Sequence, residues 1–382
     1  MPGWREAVEP FVKSGQLVAI GVVQEQHPDR ARLYKQWRKL EWPIYIDALN
    51  TLGLQAVPVP LGLDESGIVR LDGRITKESV KEFVEKSPPK SPGAPRAGEP
   101  EGADRDFLFG EGADSLDRAI AGYEKAVKAD PKDARAQFRL GVAFRARYDT
   151  PRRKPGDVQK AVEHWENALG LNPNQYIWRR RIQQFGPRLD KPYDFYFWVE
   201  QARKDILARG EKPVDLVVEP MGSEIAPPSK GEAAGAVAVP DPDPQGKIHR
   251  DDRFVSAEPV TVPARVRPGS RVRVRVTFRL NESAKGHWNN EGDPLALSVK
   301  LPGSVTLMEG GFHGPRPKEA TSSEVRVLEF EAEVSKEAPP GVLEIPAYAV
   351  YDVCEDVNGT CRHVRQDVTI TVVVDPAAPR LQ

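Results

Sequence analysis

The stretch RVRVRVTFRL, Arg271–Leu280, alternates polar and apolar residues without interruption. Because successive side chains of a β-strand point to opposite faces, this pattern predicts a strand with one buried face and one polar face. A second stretch, EVRVLEFEAEV at Glu324–Val334, also alternates, but its phase changes at Val327–Leu328. The change of phase predicts a β-bulge. If the two strands are neighbours, Arg–Glu pairs across them explain both rows of charge without any ligand.

Several shorter runs around these two stretches also have the character of strands. They are Leu295–Leu301, Val342–Pro346, Tyr348–Val353 and Val364–Val374. Short alternating strands at this spacing are typical of an antiparallel β-sandwich. We therefore expect an all-β sandwich over residues 251–376.

The two cysteines of the chain, Cys354 and Cys361, lie in this β-rich segment. Asn358–Gly359, between them, is a strong hairpin-turn signal. Opposed residues of a hairpin have spacings compatible with a disulfide. Closing so short a loop stabilises the fold by only about 2.5 kcal/mol on the chain-entropy model. A disulfide at an accessible turn is more easily reduced than a buried one, so the pair is a candidate for thiol–disulfide exchange.

Three interpretations of the cysteine pair remain open, namely a redox-active dithiol, a structural disulfide and a metal site. A metal site would need Cys354, Cys361, His363 and one more ligand, and Cys-x6-Cys is not a usual zinc spacing. The sequence also contains no phosphate-binding loop, Gly-x-Ser-x-Gly or His-Glu-x-x-His motif. We therefore predict neither a metal nor another cofactor.

Two segments rich in proline divide the chain. Residues 87–104 begin with SPPKSPGAPRAGEPEG, which is half Pro and Gly, and residues 219–250 carry a series of prolines between Pro220 and Pro244. Both compositions are typical of extended linkers. They predict three domains, over residues 1–86, 105–210 and 251–376.

The N-terminal segment alternates predicted helices and strands. Its helices are expected at Trp4–Lys13, Arg30–Leu40 and Thr76–Lys86, with Thr76 as the N-cap of the third. Its strands are expected at Leu17–Val23, Trp42–Asp47, Pro58–Leu63 and Gly67–Leu71, and Leu17–Val23 reads as a strand buried on both faces. This order predicts a mixed α/β sheet with helices on both faces.

The stretches GVVQEQHPDRARLYKQW and WPIYIDALN, followed by Val57–Pro58 and Asp64-x-x-Gly67, resemble thioredoxin-like redoxins of the TlpA type. The resemblance implies a cis peptide before Pro58. It also implies a Cys-x-x-Cys motif, yet no cysteine precedes Cys354. Either the sequence starts at an internal methionine or this domain has lost redox chemistry. Without thiols opposite it, Pro58 is expected to be structural rather than catalytic.

The middle segment contains a repeat. The pattern Ala119-x3-Tyr123-x2-Ala126-x4-Pro131 recurs with identical spacing from Ala161 through Trp165 and Ala168 to Pro173. It resembles the second helix of a tetratricopeptide repeat, and that resemblance implies an all-α domain with a protein-binding or spacer role. Arginines and aromatic residues are dense here, but we interpret them as a solvated face and a core rather than as a nucleic-acid site.

The stretch YDVCEDVNGTCRHVRQDVTI, Tyr351–Ile370, resembles the active-site hairpin of the immunoglobulin-like N-terminal domain of DsbD. The resemblance implies that Cys354 and Cys361 are the redox pair and that a cap loop shields them. We assign the cap to Gly310–Gly314, with Phe312. Tyr351 and His363 flank the pair and are candidates to adjust its thiolate fraction.

Composition excludes some classes of partner. The 55 Lys and Arg against 56 Asp and Glu leave a net charge of −1. Such a balance provides no long-range field to attract nucleic acid or an anionic membrane. The longest apolar run, Leu17–Val23, is far below the roughly 20 residues of a membrane span, and no secretory signal is recognisable. The cysteine pair and the DsbD resemblance imply a periplasmic or other extracytoplasmic location.

The sequence thus predicts a multidomain fold with α/β thioredoxin-like, all-α tetratricopeptide-like and all-β immunoglobulin-like parts. The predicted function is thiol–disulfide exchange, in which the hairpin cysteines pass electrons to partner proteins. The alternative is a non-catalytic interaction scaffold in which the cysteines form a structural disulfide, and the missing Cys-x-x-Cys favours it.

Overall fold

The computed structural model describes residues 2–73, 75–86, 102–112, 114–187, 198–216, 241–355 and 359–381. Most of the two predicted linkers lies outside this part of the chain. The chain divides into two compact units. The first comprises Met1–Ala126, Asn174–Ile177 and Trp198–Val218, and the second comprises Val127–Pro173, Trp178–Phe197 and Glu219–Gln382.

The first unit is mainly helical, with four short strands. Its helices are α1 (Pro2–Lys13), α2 (Pro28–Arg38), α3 (Lys77–Glu85), α4 (Gly102–Phe109), most of α5 (Ser115–Ala129) and α9 (Trp198–Ala208). Strand β1 (Gly21–Val23) pairs in parallel with β2 (Ile44–Ile46), and β3 (Leu61–Leu63) pairs antiparallel with β4 (Val69–Asp72). These are two separate two-stranded sheets.

The predicted thioredoxin-like fold is therefore wrong for the described residues. A single mixed sheet was expected, and Leu17–Val23 was expected to be buried on both faces. Only Gly21–Val23 forms a strand, and Val18 and Ile20 are 75% and 53% exposed. A continuous apolar run becomes a buried strand only when other elements cover both of its faces, and a local pattern does not determine whether they do.

Local signals in this unit were predicted more successfully. The side chain of Thr76 accepts a hydrogen bond from Ser79 N, and Ser79 Oγ accepts one from Thr76 N, so the predicted N-cap is a capping box. The cis peptide expected at Val57–Pro58 is also confirmed. Helices α2 and α9 meet through Trp37, whose ring stacks on Trp198 and whose Nε1 donates to Asp205 at 2.7 Å.

The second unit contains two β-sheets. The larger, here called the hairpin sheet, has the order β12-β9-β14-β15-β5, with β10 also on β14 and β7 on β15. The smaller, here called the ladder sheet, has the order β11-β13-β8-β6. The strands are β5 (His249–Arg250), β6 (Val255–Val262), β7 (Arg265–Val266), β8 (Arg271–Leu280), β9 (Gly286–Asn289), β10 (Ala296–Val299), β11 (Val305–Gly311), β12 (Thr321–Ser322), β13 (Arg326–Val334), β14 (Gly341–Glu355) and β15 (Cys361–Val374).

One apolar core lies between the two sheets. The alternating valines of β8 and Phe330 of β13 meet Ile345, Tyr351 and Ile370 of the hairpin sheet there. Most strand pairs are antiparallel, but β15 pairs in parallel with both β5 and β7, so the hairpin sheet is mixed. Alternation along each strand explains which side chains enter this core.

The predicted Arg–Glu ladder is confirmed. Glu329, Glu331 and Glu333 lie opposite Arg275, Arg273 and Arg271, respectively. The predicted bulge at Val327–Leu328 is wrong, because the register runs unbroken from Arg326 to Glu333. Arg326 itself occupies an inward position, 2% exposed, with its guanidinium 4.4 Å from the ring centre of Trp288. An inward arginine produced the apparent change of phase.

Among the described residues, three helices lie wholly or mostly in the same unit as these strands. They are α6 (Ala134–Tyr148), α7 (Asp157–Leu171) and most of α8 (Tyr176–Gln183). They pack on the outer face of the ladder sheet: Tyr148 Oη accepts from Arg279, Glu258 accepts from Gly156 N at 2.9 Å, and Val262 lies beside Gly186. Arg273 and Arg275, predicted to face outward, are consequently only 6% exposed.

The prediction of a separate all-α domain followed by an all-β immunoglobulin-like domain is therefore also wrong. Helices α6 and α7 do pack closely, since a Cβ on Gly141 would lie 2.5 Å from the Trp165 ring. However, these helices cover a sheet instead of forming a domain of their own. Helices cover the outer face of the ladder sheet, and the alternation of residues along its strands does not predict this. In the described part of the chain, no helix is long and apolar enough to cross a membrane.

Candidate functional site

The candidate site lies at one end of the long hairpin formed by β14 and β15. The two strands pair in register from Gly341 opposite Val374 to Cys354 opposite Cys361. Odd-numbered residues of β14, such as Tyr351 and Val353, enter the core between the sheets. Cys354 therefore points to the opposite, outer face of the hairpin sheet.

The structure joins Cys354 and Cys361 in a disulfide. Glu355 N donates to Thr360 O at 3.3 Å, which makes the cysteines the next, non-hydrogen-bonded pair. Side chains approach most closely at such pairs, and the two Cα atoms are 3.9 Å apart. Asn358, half of the predicted turn signal, lies outside the described residues.

The two cysteines differ in solvent exposure. Cys354 is 4% exposed, whereas Cys361 is an exposed residue. Strand β9 pairs with the other side of β14 at this point and places His287 opposite Cys354. The other neighbour of β15 here is β5, and it pairs only with Val364 and Arg365. Among the described strands, Cys361 is thus flanked on one side only.

A second pair of polar residues lies next to the disulfide. Asp352 is directly opposite His363, and Asp352 Oδ1 is 2.9 Å from His363 Nδ1. The register places His287, Asp352, Cys354, Cys361 and His363 on the same outer face, and we call these five residues the outer patch. A Cβ on Gly292 would lie 2.3 Å from Asp352 Oδ2, so the missing side chain leaves room for this carboxylate.

Tyr351, a predicted supporting residue, faces away from the cysteines. It is 1% exposed, its Oη donates to Gln366 Oε1 at 3.0 Å, and its ring meets Trp288 edge-on. Burial, together with the nearby carboxylates Asp251 and Asp252, raises the pKa of Tyr351 far above its ordinary value. The phenol is therefore neutral and belongs to the core beneath the patch.

The other two predicted supporting residues lie elsewhere. Phe312 is 8% exposed and stacks on Phe330 in the core between the sheets. Its neighbours Gly310 and Gly311 pair with β13 as the end of β11. Pro58 belongs to the first unit, while both cysteines belong to the second. Of the predicted site residues, the register brings only Cys354, Cys361 and His363 onto one face.

Two residues of the outer patch were not identified from the sequence. Asp352 was detectable, because it lies two residues before Cys354 and strand alternation places both on one face. His287 carried no such signal, since only the pairing of β9 with β14 brings it opposite Cys354. With the disulfide formed, the described residues contain no group of three or more His, Cys, Asp or Glu side chains able to hold a metal ion.

Comparisons with known proteins do not place the chain in a family. No family model matches it, and no curated protein matches it. Among solved structures, a cohesin–dockerin complex of Clostridium thermocellum is 15% identical over 32% of this chain and 99% of that one, with a TM-score of 0.21. The yeast GGA1 GAE domain is 11% identical over 32% and 96%, with a TM-score of 0.19.

AggA, the major subunit of an Escherichia coli aggregative adherence fimbria, is 11% identical over 33% of this chain and 99% of that one, with a TM-score of 0.17. At TM-scores this low, the similarities define neither a family nor an activity.

Proposed function

We propose that this chain is a thiol–disulfide exchange protein that passes electrons between partner proteins through Cys354 and Cys361. The observation that carries the proposal is the unequal exposure of the two cysteines at the end of one hairpin. A disulfide with one accessible sulfur and one covered sulfur has a defined point of attack. Exchange requires access of a thiolate along the S–S axis to one sulfur, and we assign the attack to Cys361 because it is the exposed residue of the pair.

The proposed reaction begins at the exposed cysteine. A thiolate of a reduced partner attacks Cys361 Sγ, the S–S bond breaks, and its electron pair leaves with Cys354 Sγ, which takes up a proton. The mixed disulfide joins Cys361 to the partner. The partner's second thiolate then attacks the partner sulfur of that bond and releases Cys361 as a thiolate. The partner gains a disulfide, and this chain gains two thiols.

The resemblance of Tyr351–Ile370 to the DsbD hairpin supports the same proposal. It extends the proposal to a periplasmic or other extracytoplasmic location, where disulfides form and persist. The proposed partners are proteins that carry a disulfide or a reduced dithiol.

A redox titration of the cysteine pair, followed by thiol alkylation and mass measurement, tests the proposal. We expect a midpoint at or above about −250 mV, in the range of exchangeable pairs. A midpoint below about −300 mV would reject it. Cys354→Ser and Cys361→Ser should each abolish exchange, while Thr369→Ser, an exposed position on the same face of β15, should not.

Trapping of mixed disulfides adds a test of the direction of attack. Cys354→Ser leaves the exposed Cys361 and should accumulate partner adducts, whereas Cys361→Ser leaves the buried Cys354 and should accumulate few. Equal trapping by both variants would contradict the assigned point of attack.

The second candidate is a scaffold in which the disulfide is structural. The burial of Cys354, which β9 flanks, favours it, because the bond then fastens the two strands of a long hairpin to each other at their end. In that case both serine variants lower Tm and the midpoint lies below about −300 mV.

A further inference from the structure

We propose that the Asp352–His363 pair is the proton acceptor for the Cys361 thiol when the cysteine pair is reduced. This inference rests on the proposed function, because a proton acceptor is useful only if the cysteines exchange. The positions of Asp352, Cys361 and His363 do not depend on that function. His363 follows Cys361 by two residues on β15, so the two side chains share the outer face and are nearest same-face neighbours along the strand.

The contact with Asp352 orients the imidazole. An ionised carboxylate can only accept hydrogen bonds, so His363 Nδ1 carries the proton that is shared with Asp352 Oδ1 across 2.9 Å. The neutral ring then presents Nε2 as an acceptor. The Asp352 side chain is 16% exposed and the His363 side chain 48% exposed, so the carboxylate is held within the sheet while the ring reaches the surface. A nucleophile, a base and a group that orients the base are the parts of activated thiol chemistry.

Other charged groups lie around the patch. They are Lys285 and His287 at the start of β9, Glu355 paired with Arg362 at the hairpin end, Arg365 paired with both Asp367 and Asp243, and Asp293 paired with Arg316 beside Gly292. The Glu355–Arg362 and Asp293–Arg316 pairs are neutral as pairs. His287 lies opposite Cys354, on the side of β14 away from Cys361.

The reduced cysteine pair is the electron donor in the proposed step. His363 Nε2 takes the proton of the Cys361 thiol, and the imidazolium that forms is stabilised by Asp352. The Cys361 thiolate attacks one sulfur of a partner disulfide, and the other partner sulfur leaves as a thiolate that takes a proton from His363. Cys354 then loses its proton to solvent, attacks Cys361 Sγ and restores the disulfide, releasing the second partner thiolate. Two electrons pass from this chain to the partner.

The test measures alkylation of Cys361 in the reduced full-length protein against pH, located by peptide mass. At pH 7, His363→Gln should slow alkylation about tenfold, because thiolate formation loses its base. Above about pH 9 the rates should converge, because an ordinary thiol ionises near pH 8.5 without help. Asp352→Asn should shift the profile in the same direction, and Thr369→Ser should leave it unchanged.

Two results would overturn the inference. One is an unchanged pH profile in His363→Gln, and the other is a loss of the same factor at every pH, which indicates altered access to Cys361 rather than a lost base. Exchange with a partner is not needed for this readout. If the shift is present but the wild-type protein exchanges no disulfides, the proposed function fails while the proton acceptor remains.

Discussion

At the scale of single residues, the clearest constraint is the contact between Gly141 and Trp165. Gly141 lies in α6 and Trp165 in α7, and both are buried. A Cβ on Gly141 would lie 2.5 Å from Trp165 Cδ1 and 2.8 Å from Ala161 O. The first is a ring and the second a backbone atom, and neither can move without shifting the helix that carries it. Glycine here is required by helix packing.

We predict that Gly141→Ala destabilises the protein by about 1–3 kcal/mol, the usual cost of overpacking a core. The measurement is the free energy of unfolding in urea. Gly170→Ala is the matched control, because Gly170 also lies in a helix, α7, and its Cβ would meet nothing within 4 Å. The control should be neutral or stabilising by about 0.4–1 kcal/mol. Equal losses in both variants would refute the assigned packing.

At the scale of elements, β8 and β13 are held together by their charged rows as well as by the core. The Glu329 carboxylate accepts hydrogen bonds from Arg275 Nη1 at 2.9 Å and from Arg273 Nη2 at 2.6 Å. One carboxylate therefore bridges two nearly buried arginines. Glu333 pairs with Arg271 at 3.8 Å and is 43% exposed. Burial beneath the helices removes the water that would otherwise solvate Arg273 and Arg275, whereas Glu333 remains exposed. The two contacts therefore differ in energy.

Glu329→Ala should therefore cost about 1.5–3 kcal/mol, since it removes the charged hydrogen bonds of Arg273 and Arg275 to their shared carboxylate, while Glu331 remains 3.9 Å from Arg273. Glu333→Ala should cost about 0–1 kcal/mol, as expected for a surface pair. Urea denaturation of both variants checks the difference. A similar small loss in both would mean that solvent reaches Arg273 and Arg275, contrary to their burial.

At the scale of the whole second unit, Glu166 connects the helices to the β-sandwich. It lies in α7, is fully buried, and accepts from Ala264 N and, at 3.1 Å, from Arg265 N. Burial raises the pKa of Glu166 to about 7, and the Ala264 N–H and the Arg265 guanidinium offset only part of this. A raised pKa means that the fold prefers the protonated carboxyl. Its contribution to stability is present below about pH 4.5 and is lost as the pH rises through 7.

Glu166→Gln should remove this dependence. The amide oxygen still accepts from Ala264 N, but the side chain no longer ionises. We expect the free energy of unfolding of the variant, measured relative to wild type, to be about 1–3 kcal/mol higher at pH 8 than at pH 5. Urea denaturation at the two pH values measures this, with Glu344→Gln on the exposed face of β14 as control. A constant difference at both pH values would contradict the assigned cause.

Much of the local structure was predictable from the sequence. The strand at Arg271–Leu280 and the Thr76 cap follow from patterns a few residues long. The Arg–Glu pairing was expected if the two strands were neighbours, and the cis Val57–Pro58 bond was implied by the resemblance to redoxins. At the site, the disulfide was foreseen as one possibility, and Asp352 was within reach of strand alternation. The fold class was not predicted correctly. The patterns around Arg273 and at Leu17–Val23 indicate which faces could be buried, but they do not indicate which other elements cover those faces.

The sequence by itself determined the periodicity of the strands, the Thr76 cap and the nearness of the two cysteines, since each depends on neighbours along the chain. The tertiary structure alone decided that α6 and α7 cover the ladder sheet and that β9 brings His287 to Cys354. It also decided that Cys354 is covered while Cys361 is exposed. These outcomes depend on residues far apart in the chain, whose burial becomes favourable only when the whole unit has assembled.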